Sequence, residues 1–426
     1  MSRKSISPLI AIIPAWKTAS VPSGNKLETN SVAMLKLDYR NKLLRPAWVE
    51  IDLDAVSHNV STIKKYLGDV KMLAVVKANG YGLGAVPMAR EIVRCGADYL
   101  GVVMLDEAYE LRRAGITAPI LNTGTIYADQ SDYVIDLEIE QMVDQLTVAR
   151  ALSKSAAARG TVAKIHLKID TGMSRFGLHC SRAAKEIPKW LDVPNIELVG
   201  AFTHFPMSDA VDKSFALLQI ERIKNIKRQL EAQGIHIPIW HMANSGGTLD
   251  LPTSHFNMVR VGLMNYGYWP SFDVRQPFTL RPAMTVKAQI VGIRDIERGD
   301  TVGYGRKFIA EKPEKIAILP LGYADGYDRK LSKIGHVLWN GRSLPIIGGL
   351  CMDATFVKIT DFPEIQIGDT VTLMGEDGDK EISPHDIAAL IGSVSYEVIS
   401  RFGRRLPRVY KRKGQQDSIV NALTGD

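Results

Sequence analysis

The chain has 426 residues, three cysteines and a formal charge of +7 at neutral pH. Hydrophobic residues make up 46% and charged residues 23%, which excludes disordered, collagen-like and coiled-coil proteins. No apolar run approaches the ~18 residues of a membrane-spanning helix, so no membrane partner is expected. The length suggests two domains or three, because single hydrophobic cores stop growing near ~250–300 residues. Cys95, Cys180 and Cys351 are odd in number and far apart. They cannot form a disulfide framework or a clustered zinc site, they fit a reducing compartment, and no metal site is expected.

The charge is concentrated at the start. Residues 1–45 carry eight basic side chains (Arg3, Lys4, Lys17, Lys26, Lys36, Arg40, Lys42, Arg45) against two acids, Glu28 and Asp38, so the remaining 381 residues hold a net +1. No basic stripe or nucleic-acid motif follows, and no nucleic-acid partner is expected. Arg3 and Lys4 precede an apolar run, Ile6 to Trp16, which raises export as a minor reading. Pro8 and Pro14 interrupt that run and no A-x-A site follows. Residues 1–45 are therefore expected to be a basic, disordered extension of a cytoplasmic protein, with Met34 as an alternative start.

From residue 46 the chain alternates strand-like runs with amphipathic stretches. The runs are Met72–Lys77, Tyr99–Val103, Pro119–Thr123, a fainter one at Gln141–Val143, Ala163–Ile169, Glu197–His204, Pro238–Asn244 and Asn257–Gly262. Between them Ala85–Arg94, Asp106–Ala114, Arg182–Leu191 and Ser214–Gln233 show helical spacing of apolar residues. Eight strands separated by helices predict a TIM-like (β/α)8 barrel over residues 46–281. Beyond it, Met284–Ile293, Thr301–Tyr304, Lys315–Leu319, Gly335–Trp339, Ser343–Ile347, Thr355–Ile359 and Thr370–Met374 predict a mostly β-strand domain over residues 282–426.

Barrel enzymes carry their chemistry at the C-terminal strand ends. Those ends hold Lys77, the Lys168–Asp170 segment with Arg175 after it, His204, the Asn244-Ser245-Gly246 turn and Arg260–Gly262. A lysine able to form a Schiff base, two arginines, a histidine and small-residue turns suit a phosphorylated carbonyl cofactor.

Six ordered segments resemble the alanine racemase family: Val76-Lys77-Ala78-Asn79-Gly80-Tyr81-Gly82, Asp170–Gly177, Thr203-His204-Phe205, Ala243-Asn244-Ser245, Leu319–Asp328 and Cys351-Met352-Asp353. The resemblance runs from about Arg45 to Val409. It implies pyridoxal 5'-phosphate as cofactor, a small amino acid as substrate, and a head-to-tail homodimer whose active sites are shared between subunits. It also implies an isomerase that interconverts L- and D-alanine by a two-base mechanism and supplies D-alanine for peptidoglycan.

Carried over residue by residue, Lys77 matches the Schiff-base lysine and Tyr304 the second base, from the other subunit. His204 matches the histidine beside that tyrosine, and Arg260 the arginine facing the pyridine nitrogen. Arg175 matches the arginine near the cofactor phenolic oxygen and the substrate carboxylate. Lys168 matches a lysine carbamylated in some members. Tyr81, Ser245, Gly262, Leu263 and Tyr396 match phosphate-binding positions, and Met352 the residue whose backbone N–H meets the substrate carboxylate. Asp209, Tyr323, Arg329 and Gly349 match an entrance corridor. Taken singly, Tyr304, His204 and Met352 would read as ordinary packing residues.

The departures are Asn79-Gly80-Tyr81-Gly82-Leu83-Gly84 for N-A-Y-G-H-G, Arg260-Val261-Gly262 for R-P-G, and Gly348-Gly349-Leu350-Cys351-Met352-Asp353-Ala354 for G-R-V-C-M-D-Q. The arginine missing at Gly349 would pair with Asp209, so a racemase of broader range, acting on serine or basic amino acids, is the main alternative. A decarboxylase would need an acid in place of Arg260. A non-catalytic cofactor-binding protein would lack the second domain.

Overall fold

In this computed structural model residues 42–424 are described, so all but the last four residues of the expected extension lie outside them. Eight parallel strands form the barrel. In spatial order they are Glu140–Val143, Ile120–Asn122, Tyr99–Val102, Lys71–Val75, Met258–Val261, Ile239–His241, Ile196–Phe202 and Ala163–Asp170, and the first pairs with the last to close the ring. Each strand read from the sequence is present, including the faint one.

The helices between them bury the faces that their spacing marks. Along Ala85–Arg94, Ala85, Met88, Ala89 and Ile92 are buried, at the intervals that share one side of a helix. The run expected as one helix over Arg182–Leu191 is two, Cys180–Glu186 and Pro188–Leu191. Pro188 lacks the N–H that a continuous helix needs.

The expected start of the barrel at residue 46 does not hold for Ala47–Asp52. This strand pairs antiparallel with Met284–Gln289 and parallel with Arg408–Arg412, so it belongs to the C-terminal sheet. Its alternation explains the placement: Ala47, Val49 and Ile51 are buried while the residues between are not. One apolar face suits a sheet covered on one side. Asp52 then caps the helix Leu53–Leu67 by accepting from the Asp54 and Ala55 N–H groups at 2.8 and 3.1 Å.

The second domain has an eight-stranded sheet, a three-stranded sheet and a two-stranded ribbon. It also contains two helices that the strand-like texture hid, Pro384–Ile391 and Ser395–Arg401. The first has a capping box. Ser383 Oγ accepts from Asp386 N at 3.1 Å and the Asp386 carboxylate accepts from Ser383 N at 2.8 Å.

The C-terminal elements grip the segment after Lys77. Arg408 is buried and donates to Gly82 O at 2.9 and 3.1 Å, and to the carbonyls of Phe402, Gly403 and Leu406. Tyr410 Oη donates to Leu83 O at 2.7 Å. Gly84 has φ +105°, and a Cβ on it would lie 1.9 Å from Tyr410 Oη.

Gly84→Ala should therefore cost ~3 kcal/mol or more in urea unfolding, from strain and overlap together. Tyr410→Phe alone should cost about 1 kcal/mol. The double variant should cost less than the sum of the two single costs, because the clashing oxygen is gone and the ring carbon behind it lies at 3.2 Å. Strict additivity would show that the two residues do not meet.

Candidate active site

Strand Lys71–Val75 delivers Lys77 to the C-terminal mouth of the barrel. The next four residues, Ala78, Asn79, Gly80 and Tyr81, all take left-handed conformations, with φ of 52°, 55°, 59° and 55°. For residues with a Cβ this costs roughly 1–2 kcal/mol each, and the surroundings hold it. The Glu107 carboxylate accepts from Ala78 N at 2.7 Å, Asn79 Oδ1 accepts from Ala85 N at 2.9 Å, and Asn79 O accepts from Gly82 N and Gly84 N at 3.0 and 2.8 Å. Lys77 is thus fixed at the start of a rigid turn.

Four cations converge there: Lys77, Lys168, Arg175 and Arg260. Burial first, and the Arg175 charge second, pull the Lys77 amine below its usual value, with Glu107 acting the other way. Lys168 is almost fully buried; burial, then Arg260 and Arg175, bring it down to about 7 against the opposing pull of Asp170 and Asp144. Its ammonium lies 5.2 Å from the Phe202 ring centre, and the Arg260 guanidinium shares that ring at the same distance. Asp170 is itself held by the backbone, since one of its oxygens accepts the Gly172, Met173 and Ser174 N–H groups, each at 3.0 Å.

Arg260 sits on the strand Met258–Val261, inside the mouth. Nη2 donates to Thr203 O at 2.8 Å, to Met242 O at 3.1 Å and to His204 Nδ1 at 3.0 Å, while Nη1 donates to His241 Nδ1 at 3.0 Å. Burial, then Arg175, push its guanidinium down to about 9, which leaves it charged at neutral pH. Its Nε–H has no acceptor among the described residues. Burial first, then the charges of Arg260, Lys168, Arg175 and Lys77, hold His204 well below the usual imidazole value. The ring is neutral. Because Nδ1 accepts from an arginine, its proton is on Nε2.

A second cradle lies beside Lys77. Gly262 N donates to Ser245 Oγ at 3.1 Å. The Tyr81 and Tyr396 rings are 6.2 Å apart, and neither hydroxyl has a partner among the described residues. Burial raises both phenols well above their usual range, so they stay donors. A Cβ on Gly262 would lie 2.7 Å from Tyr81 Oη, so only glycine leaves this space open; Leu263 is buried next to it. Tyrosine hydroxyls without partners, small residues at Ser245 and Gly262 and a spare guanidinium N–H suit a phosphorylated ring with an acceptor nitrogen, which is what pyridoxal phosphate presents.

The remaining candidates lie elsewhere in the chain. Tyr304 and Met352 are 70% and 51% exposed and line a cavity of about 410 Å³ with Gly303, Cys351, Asp353 and Ala354. The Met352 N–H has no acceptor among the described residues. Tyr304 opens a short turn after the strand Thr301–Val302, so the expected run Thr301–Tyr304 is shorter as a strand. The Tyr323 turn is tied to the Met352 loop by Tyr323 N–H to Cys351 O and Ala324 N–H to Met352 O, both 3.1 Å, and Arg329 is exposed just beyond it. Gly349 bridges to Gly303; a Cβ there would lie 3.0 Å from Tyr304 O and 3.7 Å from Lys307 Cδ. Asp209 instead packs near Gly246 at the barrel mouth. The corridor candidates are thus divided between the two halves.

Glu107, Phe202, His166, His241 and Glu140 escaped the sequence reading. A signal existed for one of them, since His166 stands two residues before Lys168 on the same strand and therefore on the same face.

The family model "Alanine racemase, N-terminal domain" matches residues 51–270, and "Alanine racemase, C-terminal domain" matches residues 283–410. The chain is 40% identical over 382 residues to alanine racemase of Clostridium perfringens, covering 89% of this chain and 99% of that one. Among solved structures, alanine racemase of Clostridium difficile 630 matches with a TM-score of 0.85 and 37% identity, over 90% of this chain and 100% of its own. Alanine racemase from Bacillus anthracis with bound L-Ala-P matches with a TM-score of 0.85 and 35% identity, over the same shares.

An amine brought to about 7 is mostly unprotonated, and so nucleophilic towards carbon dioxide, at about pH 8. With ¹³C-bicarbonate a carbamate resonance should appear at about pH 8, weaken by about pH 6 and be missing in Lys168→Ala. A Lys168-independent signal, or none at either pH, would show that the amine stays free.

Proposed function

The chain belongs to the alanine racemase family, and on that premise we propose that it interconverts L- and D-alanine with Lys77 and the partner subunit's Tyr304 as the two bases. Pyridoxal phosphate, when bound, captures the amino group through its aldehyde and acidifies the α C–H by drawing electron density into its ring. Lys77 would hold that aldehyde, Ser245, Gly262, Leu263, Tyr81 and Tyr396 the phosphate, and Arg260 Nε the ring nitrogen.

The chain's own groups then divide the remaining work. Burial and the Arg175 charge lower the pKa of Lys77, which raises the share of unprotonated amine able to take and return the α-proton. His204 offers an Nε2–H outward, and such a donor stabilises the deprotonated oxygen of a tyrosine placed against it. That suits Tyr304 as the base on the opposite face. Arg175 and the free Met352 N–H supply a cation and a donor for the substrate carboxylate, and the Tyr396 ring restricts the side chain to a small one. Arg260 can only donate, so it would leave the ring nitrogen it meets unprotonated and the cofactor a weaker electron sink, which would suit return of the proton over transamination.

The observation that carries this reading is the division of the site. Lys77, Arg260 and His204 face the barrel mouth, while Tyr304 and Met352 stand exposed around a separate cavity with unused polar groups. Two copies placed head to tail would complete both sites. The product would be D-alanine for peptidoglycan, made in the cytoplasm. Gly349 favours a second reading on substrate range, in which serine or a basic amino acid is racemised with kcat/KM lower by about tenfold or more, equivalent to ~1.4 kcal/mol of discrimination.

Lys77→Ala and Tyr304→Phe should each be inactive. Mixed and allowed to exchange subunits, they should recover up to about a quarter of the unsubstituted activity, because half the dimers then hold one intact site. No recovery after exchange is verified by mass would rule out a shared site.

A further inference from the structure

The barrel lumen contains a polar chain that the reaction above does not use. Glu140 opens the strand Glu140–Val143 and lines a cavity of about 320 Å³ near the barrel floor. Its Oε2 lies 2.7 Å from His166 Nε2, His166 Nδ1 lies 2.9 Å from His241 Nε2, and His241 Nδ1 lies 3.0 Å from Arg260 Nη1. Glu140, His166, His241 and Arg260 are 7%, 0%, 1% and 5% exposed, so the links from His166 through His241 to Arg260 are shielded from water.

One arrangement of protons satisfies every link. A guanidinium has no lone pair to offer, so His241 Nδ1 accepts from Arg260. The His241 proton is then on Nε2 and is donated to His166 Nδ1. His166 in turn carries its proton on Nε2 and donates it to Glu140. A doubly protonated ring at either histidine would set two N–H groups against each other. Burial first, and the Arg260 charge second, hold His241 well below its usual value, in keeping with a neutral ring.

We propose that Glu140 is a positioning residue for Arg260, the terminal acceptor that gives the His166–His241 chain its direction and so holds the guanidinium at the cofactor ring. This rests on the reading of Arg260 as the residue that meets that ring. Without an acceptor at the floor, His166 must either leave its Nε2–H buried and unpaired or move that proton to Nδ1, against the His241 Nε2–H. His241 could answer only by placing a proton on Nδ1, against Arg260.

The test uses the holoenzyme labelled with ¹⁵N-histidine, its solid-state spectra assigned with His166→Asn and His241→Asn. Protonated and bare ring nitrogens resonate far apart. Both rings should be neutral with the proton on Nε2. Glu140→Leu should replace the single tautomer of His166 by a mixture, shift the absorbance of the bound cofactor and weaken its binding about tenfold. Glu140→Gln accepts through its amide oxygen and should keep the tautomers, the absorbance and binding within about threefold. Should Glu140→Leu not fold, the unsubstituted spectrum and Glu140→Gln still decide. A proton on His241 Nδ1 in the unsubstituted protein, loss of the tautomers in Glu140→Gln, or an unchanged cofactor in folded Glu140→Leu would each overturn the proposal. An unchanged cofactor in Arg260→Gln would instead show that the placement of Arg260 is at fault.

Discussion

A buried guanidinium that can only donate orders the barrel mouth. Among the described residues no carboxylate pairs with Arg260, so its surroundings supply other acceptors: the carbonyls of Thr203 and Met242 and the Nδ1 atoms of His204 and His241. Each histidine that accepts has its proton placed on the other nitrogen. His204 therefore points a donor outward and His241 points one into the lumen. The same charge, added to burial, lowers Lys168 and His204. Much of the electrostatics at the site follows from one residue and its lack of a lone pair.

The second constraint is conformational. Four successive residues beyond Lys77 occupy left-handed space, which no isolated chain would favour. The turn persists because Glu107 holds the Ala78 N–H at its start, Asn79 Oδ1 holds the Ala85 N–H beyond its end, and Arg408 and Tyr410 of the second domain hold the Gly82 and Leu83 carbonyls that follow it. The C-terminal domain is thus needed twice. It clamps the segment after the lysine of its own chain, and on the proposed reading it would present Tyr304 and Met352 to a partner.

Most of the architecture was legible because it is periodic. Eight apolar runs separated by amphipathic stretches can bury themselves in few other ways than a closed barrel. What was not legible depended on partners distant in sequence. Ala47–Asp52 reads as a strand but does not announce that it pairs with Met284–Gln289. The helix Pro384–Ile391 follows a Ser383/Asp386 capping box overlooked among strands. In the site, Lys77, Lys168, His204, Arg260 and Ser245 stand at strand ends and could be found from position alone. Tyr304 and Met352 could be found only through a family resemblance, since nothing in their neighbours marks them. Glu140, His166 and His241 look like stray polar residues in apolar strands until the closed barrel brings them into line.

Arg260, a donor without a lone pair, sets the protonation state of the acceptors it faces. The most direct measurement is the ¹⁵N spectrum of the protein reconstituted with pyridoxal phosphate labelled at the ring nitrogen. The account predicts a hydrogen-bonded but unprotonated nitrogen whose shift stays constant from about pH 6 to about pH 8, because the guanidinium neither loses nor gives up its proton in that range. A pyridinium resonance anywhere in that range would contradict it.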